Sequence, residues 1–383
     1  MGRWAERSLN RDKIAAMLEL AKSDPRIAIT TGKLDQNQWL LNFTNGTVDL
    51  RTGVLREHRH DDYITKLVRH AYRPDLVAPR WLYFVGQTFG DLADWSQKAV
   101  GYSVTGLTTE KAVFLLLGRT DTGKTTFLTT LRRVFADYSA LLQIDTLMWA
   151  RYQDNNTSAD LADLRAARLV VTSETEEGQR LREAKLKRIT QGMGEIKAVR
   201  KYENPFTFPE THKLWIDANH APIVRGTDDA IWTRLLPIPC NHRLALREKD
   251  IELAGKLLAE GEGIAAWAVA GAVRWSREGL GRPDPIEETC ASWREQMDTL
   301  GEFLAECCIE GEGESEGGSE LYGRYRQWAE EHGLKDAMTA TGFGIQLTSR
   351  GFRKRKDSKT RRIAYFGLGL QRAFSTTGGS GGF

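Results

Sequence analysis

The chain has 383 residues, with 54 Lys and Arg against 51 Asp and Glu and a formal net charge of +3. That length provides for two or three domains and a sizeable buried core. No apolar run approaches membrane-spanning length and the N-terminus carries no signal-peptide pattern, so a membrane partner is excluded and a soluble, cytosolic chain is expected.

In chain order, Arg11–Lys22 places apolar residues at helical spacing behind Asn10, a helix N-cap. Trp39–Phe43 and Thr47–Leu50 read as short strands around the Asn45-Gly46 turn signal. His58-Arg59-His60-Asp61-Asp62 has the composition of a metal cluster, but no second His or Cys group stands near it in sequence, so metal binding is not expected. Arg80–Phe89 and Leu92–Val100 have helical patterns. Ala112–Leu117 is short, bounded and rich in Leu, Val and Phe, as a buried parallel strand is. It leads into Gly118-Arg119-Thr120-Asp121-Thr122-Gly123-Lys124-Thr125, an intact G-x-x-x-x-G-K-T phosphate loop, and Thr126–Ala136 follows as a helix. Strand, loop and helix in that order are the context in which the motif carries meaning. Backbone N–H groups wrap a β-phosphate, Lys124 reaches the β and γ oxygens, and the Thr125 hydroxyl ligates Mg²⁺. Gly118, Thr122, Gly123, Lys124, Thr125 and Thr126 are therefore the expected contacts for ATP with Mg²⁺. A chance Gly-rich turn is the competing reading.

Arg168–Thr172 is the next buried strand candidate, and it runs into Ser173-Glu174. A carboxylate at the end of a strand beside the phosphate loop can orient and deprotonate water, so Glu174 is the expected general base. Glu176 and Glu177 are nearby competitors. Since Ser173 stands where a second acid would, metal contact is expected through water or Ser173. Lys213–Ala218 is a third strand ending in Asn219, placed to sense the γ-phosphate, although a lone Asn there is more often a turn former. Arg234 precedes the apolar strand Leu235–Cys240 and is either a surface charge or an arginine finger.

Between acid and Asn, Leu181–Gln191 has a helical pattern and Met193–Phe208 reads as a β-hairpin with Lys197, Arg200, Lys201 and Tyr202 toward its middle. Cations mixed with an aromatic suit a tracked single strand of nucleic acid, and equally an exposed hairpin whose edge is protected by charge. Arg247–Leu258 and Ile264–Arg277 are helical, and Gly311–Gly318 is a flexible linker by composition. Glu320–His332, Thr341–Ser349, a basic stretch and Ile363–Leu370 then suggest a winged-helix module. Arg350–Arg362 carries eight basic residues and one acid, a local +7 that leaves −4 for the rest. Arg353, Lys354, Arg355 and Lys356 at its centre point to a phosphate-rich partner, with a solvated loop as the other reading. Ser375–Phe383 is a Gly/Ser-rich tail expected to be disordered. Cys240, Cys290, Cys307 and Cys308 form no C-x-x-C pair or His-supported zinc spacing and fit a reduced, intracellular protein.

Taken together, LLNFTNGTVDLRTG, GYSVTG, GRTDTGKTT, RLVVTSETEEG, KLWIDANHAP and AIWTRLLPIPC resemble the superfamily 3 helicases, specifically the phage and plasmid primase–helicase family that includes poxvirus-type proteins. The resemblance runs from about Trp39 to Arg243. It implies an α/β fold with an AAA+-like core, a ring that is commonly a hexamer, ATP hydrolysis between subunits, and 3′→5′ movement on single-stranded DNA. In such proteins a hairpin ahead of the sensor Asn projects basic residues into the channel, a role that would fall on Lys197, Arg200 and Lys201. Two departures stand out. Met193-Gly194 after Gly192 replaces a frequent Gly-Gly-Asp, and Thr233-Arg234 replaces a frequent pair of arginines.

The expected organisation is an N-terminal region over 1–100, the ATPase core over 101–245, a helical segment over 246–310, a winged-helix-like module over 319–372 and a tail over 373–383. Lys124, Glu174, Asn219 and Arg234 are the expected catalytic set of a replicative DNA helicase of a mobile element in a bacterial host. About forty residues precede the matching region, too few for a catalytic primase, so either a separate primase is the expected partner or the chain is a truncated relative. The rival readings are a P-loop kinase and an ATP-binding replication-initiation factor that does not unwind DNA.

Overall fold

A computed structural model describes residues 10–149, 159–172, 175, 177–200, 202–226, 229–242, 250–334, 337–356 and 362–371. Contacts divide the chain into two compact units, Met1–Ala291 and Ser292–Phe383.

The first unit opens with α1 (Arg11–Ala21), capped by the Asn10 side chain, which accepts from Asp12 N at 3.0 Å. An antiparallel sheet follows in the order β1 (Leu40–Phe43), β2 (Gly46–Asp49), β3 (Val54–Arg56). The first two are the hairpin expected around Asn45-Gly46. β3 was not marked by the sequence because three partly exposed residues are too few to show alternation. Helices α2 (Pro79–Phe89) and α3 (Ala93–Val104) lead into the core.

There β4 (Val113–Leu117) is followed by α4 (Lys124–Phe135), β5 (Ser139–Leu142), α5 (Ala159–Ala162), β6 (Leu169–Thr172) and α6 (Glu183–Ile189). The hairpin β7 (Glu195–Ala198) and β8 (Phe206–Pro209), then β9 (Lys213–Ala218), α7 (Asp229–Trp232) and β10 (Leu235–Pro239) complete it. Five strands form one parallel sheet in the order β10-β4-β9-β6-β5. The acid strand β6 had been expected beside the phosphate-loop strand, and here the sheet differs: β9 lies between them. Chain order does not reveal this, since parallel strands are joined by crossovers and any later strand can enter the gap.

Apolar residues alternate along inner strands that are covered on both faces, which explains their nearly continuous hydrophobic runs. Phe114, Leu116 and Trp215 turn toward α2, α3 and α4, while Val113, Leu115, Leu214 and Ile216 are equally buried. Trp81 of α2 stacks on Phe127 of α4 at 5.3 Å, and Phe114 stacks on Trp215 at 4.3 Å. The Trp215 indole N–H donates to Ser103 Oγ at 2.9 Å, so this buried ring has no unmet donor.

Two buried cations fasten the entrance ends of β6 and β9 to the C-terminus of α3. Arg168 donates to the carbonyls of Val104 and Leu40 at 2.9 and 2.8 Å and lies 4.7 Å over the Tyr138 ring. Lys213 donates to the carbonyls of Thr105, Leu107 and Thr211. Burial lowers the pKa of both, and the carbonyl end of a helix is where a buried cation is best tolerated.

Helices α8 (Leu253–Leu258) and α9 (Gly261–Glu278) close the unit, and α9 crosses α3 at a pair of glycines. A Cβ on Gly101 would stand 2.1 Å from Ala272 N, and one on Gly271 2.1 Å from the Gln97 carbonyl oxygen. The helix α10 (Asp284–Gln296) follows α9 in the chain.

In the second unit, α11 (Thr299–Cys307), β11 (Cys308–Gly317), α12 (Gly318–Glu331), α13 (Ala340–Ser349), β12 (Arg353–Lys356) and β13 (Ile363–Leu370) have the element order of a winged helix. Its antiparallel sheet runs β11-β13-β12. Leu300, Phe303, Leu321, Tyr325, Trp328, Phe343 and Leu368 form a core of its own. Gly311–Gly318, expected as a flexible linker, lies almost entirely in β11. Cys308 to Glu310 and Ser315 to Gly317 pair with β13, with a register shift between Glu310 and Ser315. The glycines accommodate that irregularity, and Glu310, Glu312, Glu314 and Glu316 place charge along an exposed edge strand, which blocks pairing with other chains. Cys307 and Cys308 straddle the junction of α11 and β11, and all four cysteines are buried. The expected tail over 373–383 lies outside the described residues. No helix among the described residues is long and apolar enough to cross a membrane.

Because no atom of the α3–α9 crossing can recede without separating two helix backbones, Gly271→Leu should destabilise the fold by about 1–3 kcal/mol or more. Gly86→Ala in α2 has open space at its Cβ and should be neutral or slightly stabilising. Thermal denaturation of both variants checks the pair.

Candidate functional site

The phosphate loop leaves the sheet in the gap between β9 and β10. Gly118 N donates to the Ala218 carbonyl at 3.3 Å, and Cys240 N donates to the Leu117 carbonyl at 2.6 Å. Both glycines of the motif have a steric reason. A Cβ on Gly118 would lie 2.1 Å from the Cys240 carbonyl oxygen. Gly123 has φ +90°, and a Cβ there would lie 2.9 Å from Thr88 Oγ1. Burial pushes the Cys240 thiol up to about 12, which makes it a packing group. Gly123 is the N-cap of α4 and supplies no side-chain acceptor, so the first turn offers its N–H groups to an anion.

Lys124 is 3 % exposed, and its ammonium joins two strand tips. Nζ donates to the carbonyls of Gly118 and Arg119 at 2.7 and 2.9 Å and to Asn219 Oδ1 at 3.0 Å. Thr122 Oγ1, 3.5 Å from Nζ, itself donates to the Arg119 carbonyl at 3.0 Å. Thr125 Oγ1 donates to Asp217 Oδ2 at 2.6 Å, and Asp217 Oδ1 stands 3.8 Å from the Lys124 ammonium. Thr126 is half-buried in the first turn of α4. The structure therefore brings together Gly118, Thr122, Gly123, Lys124, Thr125, Thr126 and Asn219.

Asp217 was missed by sequence reasoning, which attended to Asn219 two residues on. The signal was present: an acid inside the apolar strand KLWIDA, which is buried along its whole length, is a group that needs a partner. Glu174, Ser173 and Glu176 lie outside the described residues. Their neighbour Thr172 ends β6, and Thr175 pairs with Ala218, with Thr175 N donating to the Asp217 carbonyl at 3.2 Å.

These groups are oxygen and nitrogen donors of the kind that hold ATP with Mg²⁺. A cradle that only glycine fits, a helix N-terminus, a buried ammonium, and a hydroxyl beside a carboxylate match phosphates and a hard cation. Arg234 is elsewhere. It precedes β10, where Leu235 pairs with Val113 at the entrance of β4, about 13 Å of strand from Leu117. Its guanidinium donates to the carbonyls of Thr190 and Ala230.

The hairpin β7–β8 turns alternate side chains inward. Ile196, Ala198 and Phe208 are buried, while Lys197 and Arg200 are exposed. Arg200 lies 5.3 Å over the Phe206 ring, Tyr202 is 93 % exposed, and Lys201 lies outside the described residues. In the second unit Arg353, Lys354, Arg355 and Lys356 make up β12 and are all exposed. Among the described residues no group of His, Cys, Asp and Glu is arranged to hold a metal ion by itself, the segment His58–Asp62 included.

At the base of the hairpin Glu210 accepts from Gly192 N at 3.2 Å, and its own N–H donates to the Gly194 carbonyl at 2.8 Å. Burial pushes its carboxyl from the ordinary 4.5 up to about 7, against the pull of the Gly192 and Gln191 amides, Lys213 and Arg234. A raised folded-state pKa means that the contribution is full below about pH 4.5 and is lost as pH rises through about 7. Relative to wild type, Glu210→Gln should therefore gain stability across that window and hold a constant advantage above about pH 8. Urea midpoints measured across pH check it.

Residues 1–90 match the family described as D5 N terminal like, residues 116–234 a family of unknown function (DUF5906), and residues 295–367 the family described as Poxvirus D5 protein-like. The chain is 22% identical over 320 residues to a putative helicase, L207/L206, of Acanthamoeba polyphaga mimivirus, covering 77% of this chain and 33% of that protein. It thus spans about a third of the length of that curated relative. Among solved structures, the apo C-terminal region (305–718) of NrS-1 is 14% identical with a TM-score of 0.47, covering 79% of this chain and 77% of that one. A ligand-bound JCV helicase is 15% identical with a TM-score of 0.33, covering 59% of this chain and 62% of that one. The matches at the two ends of the chain are both to families of the D5 type, and the matched mimivirus relative is described as a putative helicase.

Proposed function

We propose that the chain is an ATP-driven DNA helicase of a virus, phage, plasmid or prophage, working as a ring, commonly hexameric, on single-stranded or forked DNA. The observation that carries this reading is the separation of two parts of one site. Lys124 and Asn219 meet at the exit end of the sheet, while Arg234 sits at its entrance end. A finger that its own loop cannot use is useful to a neighbour's, which a head-to-tail ring supplies.

In this mechanism the phosphate loop and the N-terminus of α4 bind the triphosphate, with Lys124 moving from the loop carbonyls to the β and γ oxygens. Thr125 would hold Mg²⁺, which would supply charge neutralisation at the phosphates. Glu174 takes the proton of the attacking water. Asn219, bonded to Lys124, feels whether the γ-phosphate is present, and Arg234 of one protomer stabilises the transferred phosphoryl at the next. The hairpin begins a few residues after α6 and carries Lys197, Arg200 and Lys201 for the DNA backbone, with Tyr202 able to stack on a base. Arg353, Lys354, Arg355 and Lys356 contact a phosphate backbone through β12.

A forked-DNA unwinding and ATPase assay tests this. Lys124→Ala and Arg234→Ala should each lose at least about a hundredfold in ATPase rate. An equal mixture should recover activity, because about a quarter of the interfaces then join an intact loop to an intact finger. No recovery on mixing, or ATPase indifferent to single-stranded DNA, would instead favour a kinase or an initiation factor.

A further inference from the structure

We infer that Asp217, on the strand beside the phosphate loop, is the carboxylate that holds the divalent cation of the bound nucleotide. The inference rests on the reading of this site as one for ATP with Mg²⁺ and adds the residue that the acid strand does not supply.

Position is the first argument. Asp217 is the penultimate residue of β9, the strand inserted between β4 and β6, and is 2 % exposed. A carboxylate so placed loses several kcal/mol of hydration and needs positive charge or donors nearby. Its neighbours are the two motif side chains that face phosphate and cation in a phosphate loop: Thr125, which donates to Oδ2 at 2.6 Å, and Lys124, whose ammonium is 3.8 Å from Oδ1. When the lysine is drawn to the β and γ oxygens of a triphosphate, part of that compensation leaves Asp217. A divalent cation held at Asp217 would restore it.

Chemistry is the second argument. Mg²⁺ takes oxygen ligands and keeps several waters, so it is held by one or two carboxylates, directly or through those waters. With its proton committed to Asp217, the Thr125 oxygen keeps its lone pairs for the cation. Sequence is the third. The residue ahead of Glu174 is Ser173, so an adjacent pair of acids dividing water activation from cation holding is absent from the sequence there. β9 brings the second, and each acid keeps a separate task.

The test is binding of a fluorescent ATP analogue to the full chain, with EDTA and with Mg²⁺. Wild type should bind at least about tenfold tighter with Mg²⁺. Asp217→Asn, which keeps the shape and an acceptor for Thr125, should retain the EDTA affinity within about twofold and lose most of the Mg²⁺ gain. An undiminished gain in Asp217→Asn overturns the assignment. So does an equal loss of affinity with and without metal, the signature of a residue that only anchors Thr125. Asp217→Cys guards against a poorly folded Asn variant: Cd²⁺ should then support binding better than Mg²⁺, by the thiol's preference for soft cations. No such reversal also overturns it. If wild type binds no analogue under either condition, the nucleotide-site reading falls with it, an outcome distinct from every other arm.

Discussion

The position of β9 inside the sheet governs everything built on the first unit. Strand order β10-β4-β9-β6-β5 sets the tip carrying Asp217 and Asn219 against the phosphate loop and leaves β6 one strand further away. An inner strand cannot hydrate its polar end, so the charged groups there satisfy one another. Lys124 bonds Asn219, and Thr125 bonds Asp217. The same contacts that make burial tolerable also hold the side chains in the arrangement proposed to bind phosphates and a cation.

The sheet has two ends with opposite duties. At the entrance end, Arg168 and Lys213 are desolvated cations spent on helix carbonyls, and they fix β6 and β9 to α3. At the exit end the backbone donors of α4 and the Lys124 ammonium are arranged for an anion. Arg234 belongs to the entrance end, together with Thr190 and the base of the hairpin near Glu210. Arg234, proposed to act at a neighbour's nucleotide, thus stands close to the segment proposed to track DNA. Glu210, with its carboxyl displaced to about 7, makes that base sensitive to protonation within the neutral range.

The second unit follows a different logic. Its core is small and aromatic, with Phe303 within 5.9 Å of Tyr325, Trp328 and Phe343 ring centroids, and its sheet has two exposed edges. One edge is acidic β11 and the other basic β12, with β13 between. Charge of opposite sign on the two edges protects both from strand addition and leaves only β12 attractive to a phosphate backbone.

Much of this was legible in the chain itself. The phosphate loop, the strands β6, β9 and β10, the hairpin and the helices with the basic strand of the second unit were readable because each depends on local periodicity, turn residues and motif spacing. β11 was not: its Gly and Glu composition is that of a linker, and its pairing with β13, some fifty residues on, is a long-range fact. Asp217 was overlooked for a related reason. Whether an acid in a strand faces water or a neighbouring loop depends on which strand lies alongside. By itself the sequence determined which side chains could bind a nucleotide, because the loop's chemistry is written in consecutive residues. Only the tertiary structure decided which of them meet, since the lateral order of parallel strands is set by crossovers and packing, which leave no local mark.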